Sequence, residues 1–323
     1  MLGLGSATLG NLGRIYSEEE CDGTIARAWD AGLRYFDTAP LYGLGLSEIR
    51  IGRTLGQYSR SEYLLSTKVG RLLEPCAPGE SNGGIYVGTP QVRYVYDYSY
   101  DGVMRSLEFS LERLGLDSID IVLAHDVDLT THGHWDAVSG HLSDFMNGGY
   151  RALDELRSAG AIKAIGAGVN EWEAAEAFAR AGDFDVFMLA GRYTLLEQDA
   201  LTSFLPLCRE RGIGVVIGGP FNSGILATGA KAGARYNYHA APVDVIERVR
   251  KLQQVCKAFQ VKLPEAALRF PLGHPSVVSV APGVCRAAEA KRNAVMMGKK
   301  IPPALWRALK AEKLIREDAP TPK

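Results

Sequence analysis

The chain has 323 residues, of which 46% are hydrophobic and 23% charged, with a formal net charge of −1 at pH 7. That is the composition of a globular protein with a sizeable core, and the near-balanced charge gives no electrostatic footing for nucleic acid or an anionic membrane. No apolar run is long enough to cross a bilayer, and the N-terminus lacks the charged and apolar regions of a signal peptide. The five cysteines show no CxxC spacing and read as free thiols of a reducing compartment, not as a disulfide framework or a zinc module. A cytoplasmic location is therefore expected.

Leu2–Gly5 reads as a short first strand. Gly3-Leu-Gly5-Ser-Ala-Thr8 lacks the third glycine of a dinucleotide fingerprint and has no clear strand before it, so a Rossmann unit is rejected. Ser17-Glu-Glu-Glu20 is a capping box that opens a helix running to about Ala31. Leu33–Phe36 is a strand that runs into the Gly-rich segment holding Asp37 and Tyr42. Ser47–Leu55 is a helix, and Tyr63–Thr67 a strand that delivers Lys68. Residues 71–98 read as a long Gly/Pro/Tyr-rich loop, and Ser99–Leu114 as a helix. Ile119–Ala124 is a strand that delivers His125, followed by a second long loop over 126–147. Helices over Tyr150–Ser158, Trp172–Arg180 and Asp199–Arg211 alternate with strands over Ile162–Ile165, Val186–Leu189 and Ile213–Ile217. A Gly-rich loop leads to helices over Val243–Phe259 and Pro264–Phe270. A last strand, Val277–Val280, is followed by helices over Ala287–Met296 and Leu305–Ile315.

These are about eight strand–helix units without a linker or a shift in composition. The strands are Val/Ile/Leu/Phe-rich throughout, as strands buried on both faces are. The expected architecture is one (β/α)8 TIM-barrel domain over residues 1–323, with long loops at its C-terminal mouth and an extra C-terminal helix. A doubly wound sheet is the competing arrangement.

Asp37, Tyr42, Lys68 and His125 stand at or just past the ends of successive strands, which a barrel gathers at one mouth. Such a set suits proton transfer coupled to polarisation of a carbonyl. A tyrosine needs a nearby cation to work near neutrality. Lys68 is the candidate cation, Asp37 its anchor, and His125 a donor to a substrate oxygen. Taken singly, each has a plainer role as a turn, wall, surface or loop residue. No nucleophile elbow or phosphate loop appears. His132-x-His134, near His125 and Asp128, has the look of a metal site but reads as a polar loop, so no metal is expected. Tyr94, Tyr96, Tyr98 and Tyr100 alternate; they line a sugar site or pack the loop.

Phe-Asp37-Thr-Ala-Pro-Leu-Tyr42-Gly, Ser-Thr-Lys68-Val-Gly, Ser-Leu-Glu-Arg-Leu114-Gly-Leu and Ile165-Gly-Ala-Gly-Val-Asn170 together resemble the aldo-keto reductases, over nearly the whole chain. The resemblance implies a (β/α)8 barrel, an Asp–Tyr–Lys–His tetrad at Asp37, Tyr42, Lys68 and His125, and hydride transfer with a nicotinamide cofactor. Leu41-Tyr-Gly-Leu-Gly-Leu-Ser-Glu48, Leu189-Ala-Gly-Arg-Tyr-Thr-Leu-Leu-Glu-Gln198 and Gly218-Gly-Pro-Phe-Asn-Ser-Gly-Ile-Leu226 are most similar to the branch that oxidises L-fucose and D-threo-aldoses, and to its pyridoxal-oxidising relatives.

The resemblance further implies cofactor contacts at Gly5, Ser6, Asn170, Gly218, Pro220, Phe221, Asn222, Ser223, Gly283, Glu289 and Asn293, with substrate at Tyr42, His125 and Trp135. Where many members place a glutamine under the nicotinamide and a tyrosine stacked on it, this chain has Ala190 and Gly218. NADP-specific members hold the 2′-phosphate with basic residues where Gly283 and Glu289 fall here. A carboxylate repels a phosphate dianion and accepts from a ribose hydroxyl, so NAD is expected over NADP. The competing view makes Glu289 a first-turn helix residue complementing the dipole, and Arg286, Lys291 and Arg292 lie close by. The expected activity is NAD-dependent oxidation of an aldose's anomeric hydroxyl to the lactone. Oxidation of pyridoxal and a cofactor-binding redox-sensing regulator are the rivals. Oligomeric state is left open.

Overall fold

The computed structural model describes residues 1–322. Eight parallel strands pair in chain order: β1 (Leu4–Gly5), β2 (Tyr35–Asp37), β3 (Leu64–Val69), β4 (Ile121–His125), β5 (Ala164–Val169), β6 (Val186–Ala190), β7 (Gly214–Gly218) and β8 (Val277–Ala281). Closure is made by backbone bonds from Gly3 N to Val280 O (2.8 Å) and from Val280 N to Met1 O (3.1 Å), with a parallel bridge between Gly5 and Gly283. The result is the expected (β/α)8 barrel. Inside it pack Tyr35, Leu123, Val186, Met188, Val216 and Ala281. A far larger apolar layer lies between the strands and the surrounding helices, as strands buried on both faces require.

The helices outside the barrel are α1 (Glu18–Asp30), α2 (Leu46–Leu55), α3 (Tyr100–Leu114), α4 (Tyr150–Ser158), α5 (Trp172–Ala181), α6 (Phe204–Arg211), α7 (Val243–Ala258), α8 (Leu263–Arg269), α9 (Ala287–Met297) and α10 (Pro303–Ala311). The expected capping box of α1 forms in both directions: Glu20 N donates to Ser17 Oγ (3.1 Å) and Ser17 N to Glu20 Oε2 (2.9 Å). Among the described residues, no helix is long and apolar enough to cross a membrane.

Three expected elements differ. The loop over 71–98 contains an antiparallel hairpin, Arg71–Pro75 against Val92–Tyr96, with Arg71 opposite Tyr96 and Pro75 opposite Val92. Its alternating side chains follow strand periodicity, but the Gly- and Pro-rich span between the two strands hides it. The loop over 126–147 is largely helical, with Leu129–His132 and Trp135–Asp144 running into a π-turn at Phe145–Gly149. Asp128 and His134 cap these helices through Thr131 N (2.9 Å) and Ala137 N (3.2 Å). Only Val138 of Trp135–Asp144 is buried, so no apolar stripe announces it. The helix expected over Asp199–Arg211 breaks at Ser203 into a 3₁₀ turn and α6.

Gly166 in β5 shows how tightly the strands register. A Cβ there would lie 1.6 Å from Val186 O of β6, so any side chain must push the two strands apart. Gly166→Ala should cost about 2–3 kcal/mol by overpacking, read as a lower urea midpoint with an unchanged slope. An unshifted midpoint would contradict this packing.

Candidate active site

Asp37 ends β2 and is almost fully buried. Lys68, one residue before the end of β3, is equally buried and reaches across. Its Nζ donates to Asp37 Oδ1 (2.9 Å), Asp37 Oδ2 (2.8 Å) and Thr38 O (2.8 Å), using all three ammonium hydrogens. Ser66 Oγ donates to Asp37 Oδ1 (2.6 Å) and is itself hydrogen-bonded to Tyr35 OH (3.0 Å). Space for the lysine comes from β5: a Cβ on Gly168 would stand 3.2 Å from Lys68 Cε. That gives the Gly-Ala-Gly run of β5 a physical reason.

Tyr42 sits on the loop between β2 and α2. A chain of hydroxyls braces that loop, Ser6 Oγ to Ser47 Oγ (2.6 Å) and Ser47 Oγ to Thr38 Oγ1 (2.9 Å). The phenol ring lies 4.7 Å from Lys68 Nζ and edge-on to His125, with ring centres 5.7 Å apart. Among the described residues nothing hydrogen-bonds the Tyr42 hydroxyl. Thus the four residues expected at the barrel mouth do meet there.

The electrostatics differ from the expectation in one respect. Burial, reinforced by the charge of Asp37, pushes the Tyr42 phenol well above its ordinary range. Lys68, 4.7 Å from the ring, does not outweigh burial and Asp37. Burial, with Arg71 and Lys68 adding repulsion, holds His125 well below its ordinary value, so the imidazole is neutral. Its Nδ1 is buried without a partner, while Nε2 lies 3.3 Å from Asp126 Oδ2. These surroundings favour the tautomer with the proton on Nε2. Tyr98 OH fixes the base of the loop through His125 O (2.7 Å).

Several neighbours escaped the sequence reading. Arg71, at the start of the hairpin, is buried with Nη1 3.0 Å from Asp126 Oδ2 and its guanidinium 5.2 Å from the ring centres of both Tyr94 and Tyr96. Tyr94 and Tyr96 pack against this arginine, Tyr94 meeting Tyr96 edge-on and Tyr96 stacking on Tyr98, whereas Tyr100 lies under Arg151 and donates to Glu155 Oε2 (2.6 Å). Tyr86 approaches Tyr42 at 6.4 Å. The signals available were Asp126, next to His125, and Arg71, three residues beyond Lys68; nothing marked Tyr86.

A family model for the aldo/keto reductase family matches residues 1–311. The chain belongs to the aldo/keto reductase family. It is 41% identical to a pyridoxal 4-dehydrogenase of Microbacterium luteolum, over 97% of this chain and 94% of that protein. It is 39% identical to a D-threo-aldose 1-dehydrogenase of a Pseudomonas species, over 99% and 95% respectively. An aldo-keto reductase of Bacillus halodurans shares the fold with a TM-score of 0.75 at 24% identity, covering 98% of this chain and 92% of that one. The protein is an oxidoreductase of this family, whose members use nicotinamide cofactors.

The residues beside the mouth fit such a cofactor. The loop after β7 turns left-handed at Gly219 (φ 54°), Asn222 (φ 45°), Ser223 (φ 57°) and Gly224 (φ 96°); the N–H groups of Asn222 and Gly224 close turns within it onto Gly219 O and Phe221 O (both 3.0 Å). Asn222 Nδ2 donates to Gly191 O (2.9 Å), leaving its buried Oδ1 without a partner, and Asn293 Oδ1 is likewise orphaned. Asn170 Nδ2 is held by Asp128 Oδ2 (2.9 Å). Gly218 pairs with Ala190, Pro220 is buried and Phe221 packs into the core beside it. Gly283, exposed, bridges to Gly5.

Three more of the expected residues have surroundings of their own. Ser6 donates both its N–H (3.0 Å) and its hydroxyl (2.7 Å) to Asp37 O, so it braces the mouth from within. Glu289 stands in the first turn of α9, where its Oε2 accepts from Cys285 N (3.0 Å). Trp135 is 43% exposed at the start of its helix and joins none of the aromatic pairs around Tyr42. The two loop histidines have structural tasks: His132 lies against His141, and His134 is a helix cap.

Burial also depresses His132 and His274, each to about 4. In the unfolded chain histidine takes a proton near pH 6.5. Below that pH the unfolded state therefore binds more protons at three sites, and stability falls. Asp126, pushed up to about 6 by burial, opposes the trend at one site. The melting temperature should drop by several degrees between pH 7 and pH 5; a flat or rising trend would contradict three buried neutral histidines.

Proposed function

We propose that the protein is a NAD-dependent dehydrogenase that oxidises the anomeric hydroxyl of an aldose of the L-fucose or D-threo type to the lactone. The observation that carries this reading is the meeting of Tyr42 and His125, both close above the Lys68–Asp37 pair. The D-threo-aldose 1-dehydrogenase relative supports the substrate class.

A bound oxidised nicotinamide supplies the hydride acceptor. Asn170, Asn222 and Asn293 offer carboxamides to hold it, and the loop from Gly218 to Gly224 offers backbone N–H groups. Tyr42 releases its own proton to solvent and, as phenolate, takes the proton of the reacting hydroxyl. His125 donates from Nε2 to the same oxygen and keeps it oriented. Asp37 holds Lys68 charged beneath the phenol, where positive charge favours the phenolate that forms as Tyr42 gives up its proton to solvent.

Preference for NAD rests on charge. Glu289 Oε1 carries no hydrogen bond among the described residues, and a carboxylate there disfavours a 2′-phosphate. Arg286, Lys291 and Arg292 are exposed. The free thiols fit a reducing, cytoplasmic setting.

Pyridoxal is the second substrate reading. It is favoured by the aromatic walls of Tyr42 and Tyr86 and by the pyridoxal-oxidising relative. NAD-linked absorbance with L-fucose, D-arabinose, L-galactose and pyridoxal, each with NAD and NADP, separates the readings. Turnover of a sugar with NAD is expected. Turnover of pyridoxal alone would move the substrate, and activity only with NADP would overturn the Glu289 argument. Cofactor binding without any turnover would favour a regulator. Tyr42→Phe should lower kcat roughly a thousandfold with NADH binding, read by fluorescence, unchanged. Wild-type turnover in that variant would contradict the proton path.

A further inference from the structure

Three aspartates flank β4, and two are fully employed. Asp120 accepts from Leu65 N (2.8 Å) and pairs with Arg60 (2.5 Å) and Lys163 (2.8 Å). Asp128 accepts from Thr131 N (2.9 Å), Asn170 N (2.7 Å) and Asn170 Nδ2 (2.9 Å). Asp126 is different. Its only hydrogen bond from a side-chain amide is a long one, 3.5 Å from Asn170 Nδ2. Arg71 Nη1 stands 3.0 Å from Oδ2, yet Nη1 and Nε are left without hydrogen-bond partners, so the guanidinium faces the carboxylate as a charge and not as a bidentate clamp. Oδ2 thus faces Arg71 Nη1 and, at 3.3 Å, His125 Nε2, while Oδ1 keeps most of its acceptor capacity.

Its position explains what that capacity is for. Asp126 is the first residue past β4 and is bent into the left-handed region (φ 50°), with its N–H tied to Gly168 O (2.8 Å). This kink is costly for a residue other than glycine, and it accompanies a carboxylate aimed beside His125 rather than along the strand. The side chain is 16% exposed, against 3% for Arg71, and its Oδ2 lies 3.3 Å from His125 Nε2 at the mouth. Its charge adds to the burial that raises the phenols of Tyr42, Tyr86 and Tyr238.

We propose that Asp126 is a specificity-determining residue, whose carboxylate accepts a hydrogen bond from the hydroxyl on the carbon next to the reacting one. The proposal rests on the aldose-dehydrogenase reading and adds the residue that selects the substrate. His125 Nε2 serves the reacting oxygen, and Asp126 Oδ2 lies one hydrogen-bond length from that nitrogen. That separation suits the neighbouring oxygens of a vicinal diol. Arg71 balances the carboxylate from the buried side. The site therefore takes neutral, polyhydroxylated substrates and rejects the analogue that lacks the neighbouring hydroxyl, because a buried acceptor is then left unpaired.

The test compares L-fucose with 2-deoxy-L-fucose in the wild type and in Asp126→Asn, with NAD. A hydrogen bond to a charged group corresponds to roughly 10–100-fold in kcat/KM. Asp126→Asn should lose about that factor on L-fucose, change less than about threefold on the 2-deoxy sugar, and bind NADH as the wild type does. Equal losses on both sugars would mean that Asp126 acts through His125 or the fold, and would overturn the proposal, as would no loss on either. Arg71→Gln with Asp126→Asn removes both charges and guards against misfolding from an unpaired arginine. It should show the same split, and an equal loss there also overturns the proposal. A wild type that oxidises no aldose overturns the function itself, and the role of Asp126 with it. A wild type that oxidises L-fucose and its 2-deoxy analogue equally overturns the role of Asp126 alone.

Discussion

The structure depends on one buried ion pair. Taking a carboxylate and an ammonium out of water is expensive, and their mutual attraction repays it only when every lone pair and proton is also satisfied. Asp37 and Lys68 meet that condition. All three lysine hydrogens find oxygens, and Ser66 supplies the carboxylate with a further donor. The pair ties the ends of β2 and β3 together, draws on Gly168 of β5 for room, and fixes Thr38 at the start of the loop that carries Tyr42. Replacing the ions with apolar side chains would fill the same space. Retaining them makes sense at a barrel mouth whose chemistry moves protons.

Around that pair, burial acts on two neutral groups in opposite senses. It raises the Tyr42 phenol and lowers the His125 imidazole. Both groups are thereby uncharged near neutrality, one holding a proton on oxygen and the other on nitrogen. The charges nearby are Lys68, Asp37, Arg71 and Asp126, arranged as two opposite pairs. The first pair lies under the phenol, and the second beside the imidazole. In the proposed reaction the first governs proton movement and the second chooses the substrate.

Much of this was legible in the chain. Eight apolar segments separated by helical ones gave the barrel, and polar residues closing those segments gave its mouth. Strand ends were placed one or two residues early, at Phe36 and Thr67, because apolarity stops there; the backbone ladder continues through Asp37 and Val69. The hairpin at Arg71–Pro75 and the helices after Asp128 were missed because their faces are only partly buried, so hydrophobic period says little about them. Ser6 and Glu289 have partners that the sequence does not name. Family position says which stretch lies near the cofactor, but a short polar side chain turns toward whichever backbone group is unpaired, here Asp37 O and Cys285 N. Arg71 and Asp126 needed the three-dimensional structure, since 55 residues of sequence separate two groups that lie 3.0 Å apart.

The most direct test of the account is to remove the pair in two ways and read stability and turnover together. Lys68→Met alone leaves a buried carboxylate unanswered and should cost about 3–5 kcal/mol. Lys68→Met with Asp37→Leu restores an apolar interior and should recover most of that stability, while sugar oxidation stays at least a hundredfold down in both. A Lys68→Met protein as stable as the wild type, or a double variant that still turns over sugar at the wild-type rate, would contradict the central role given to this pair.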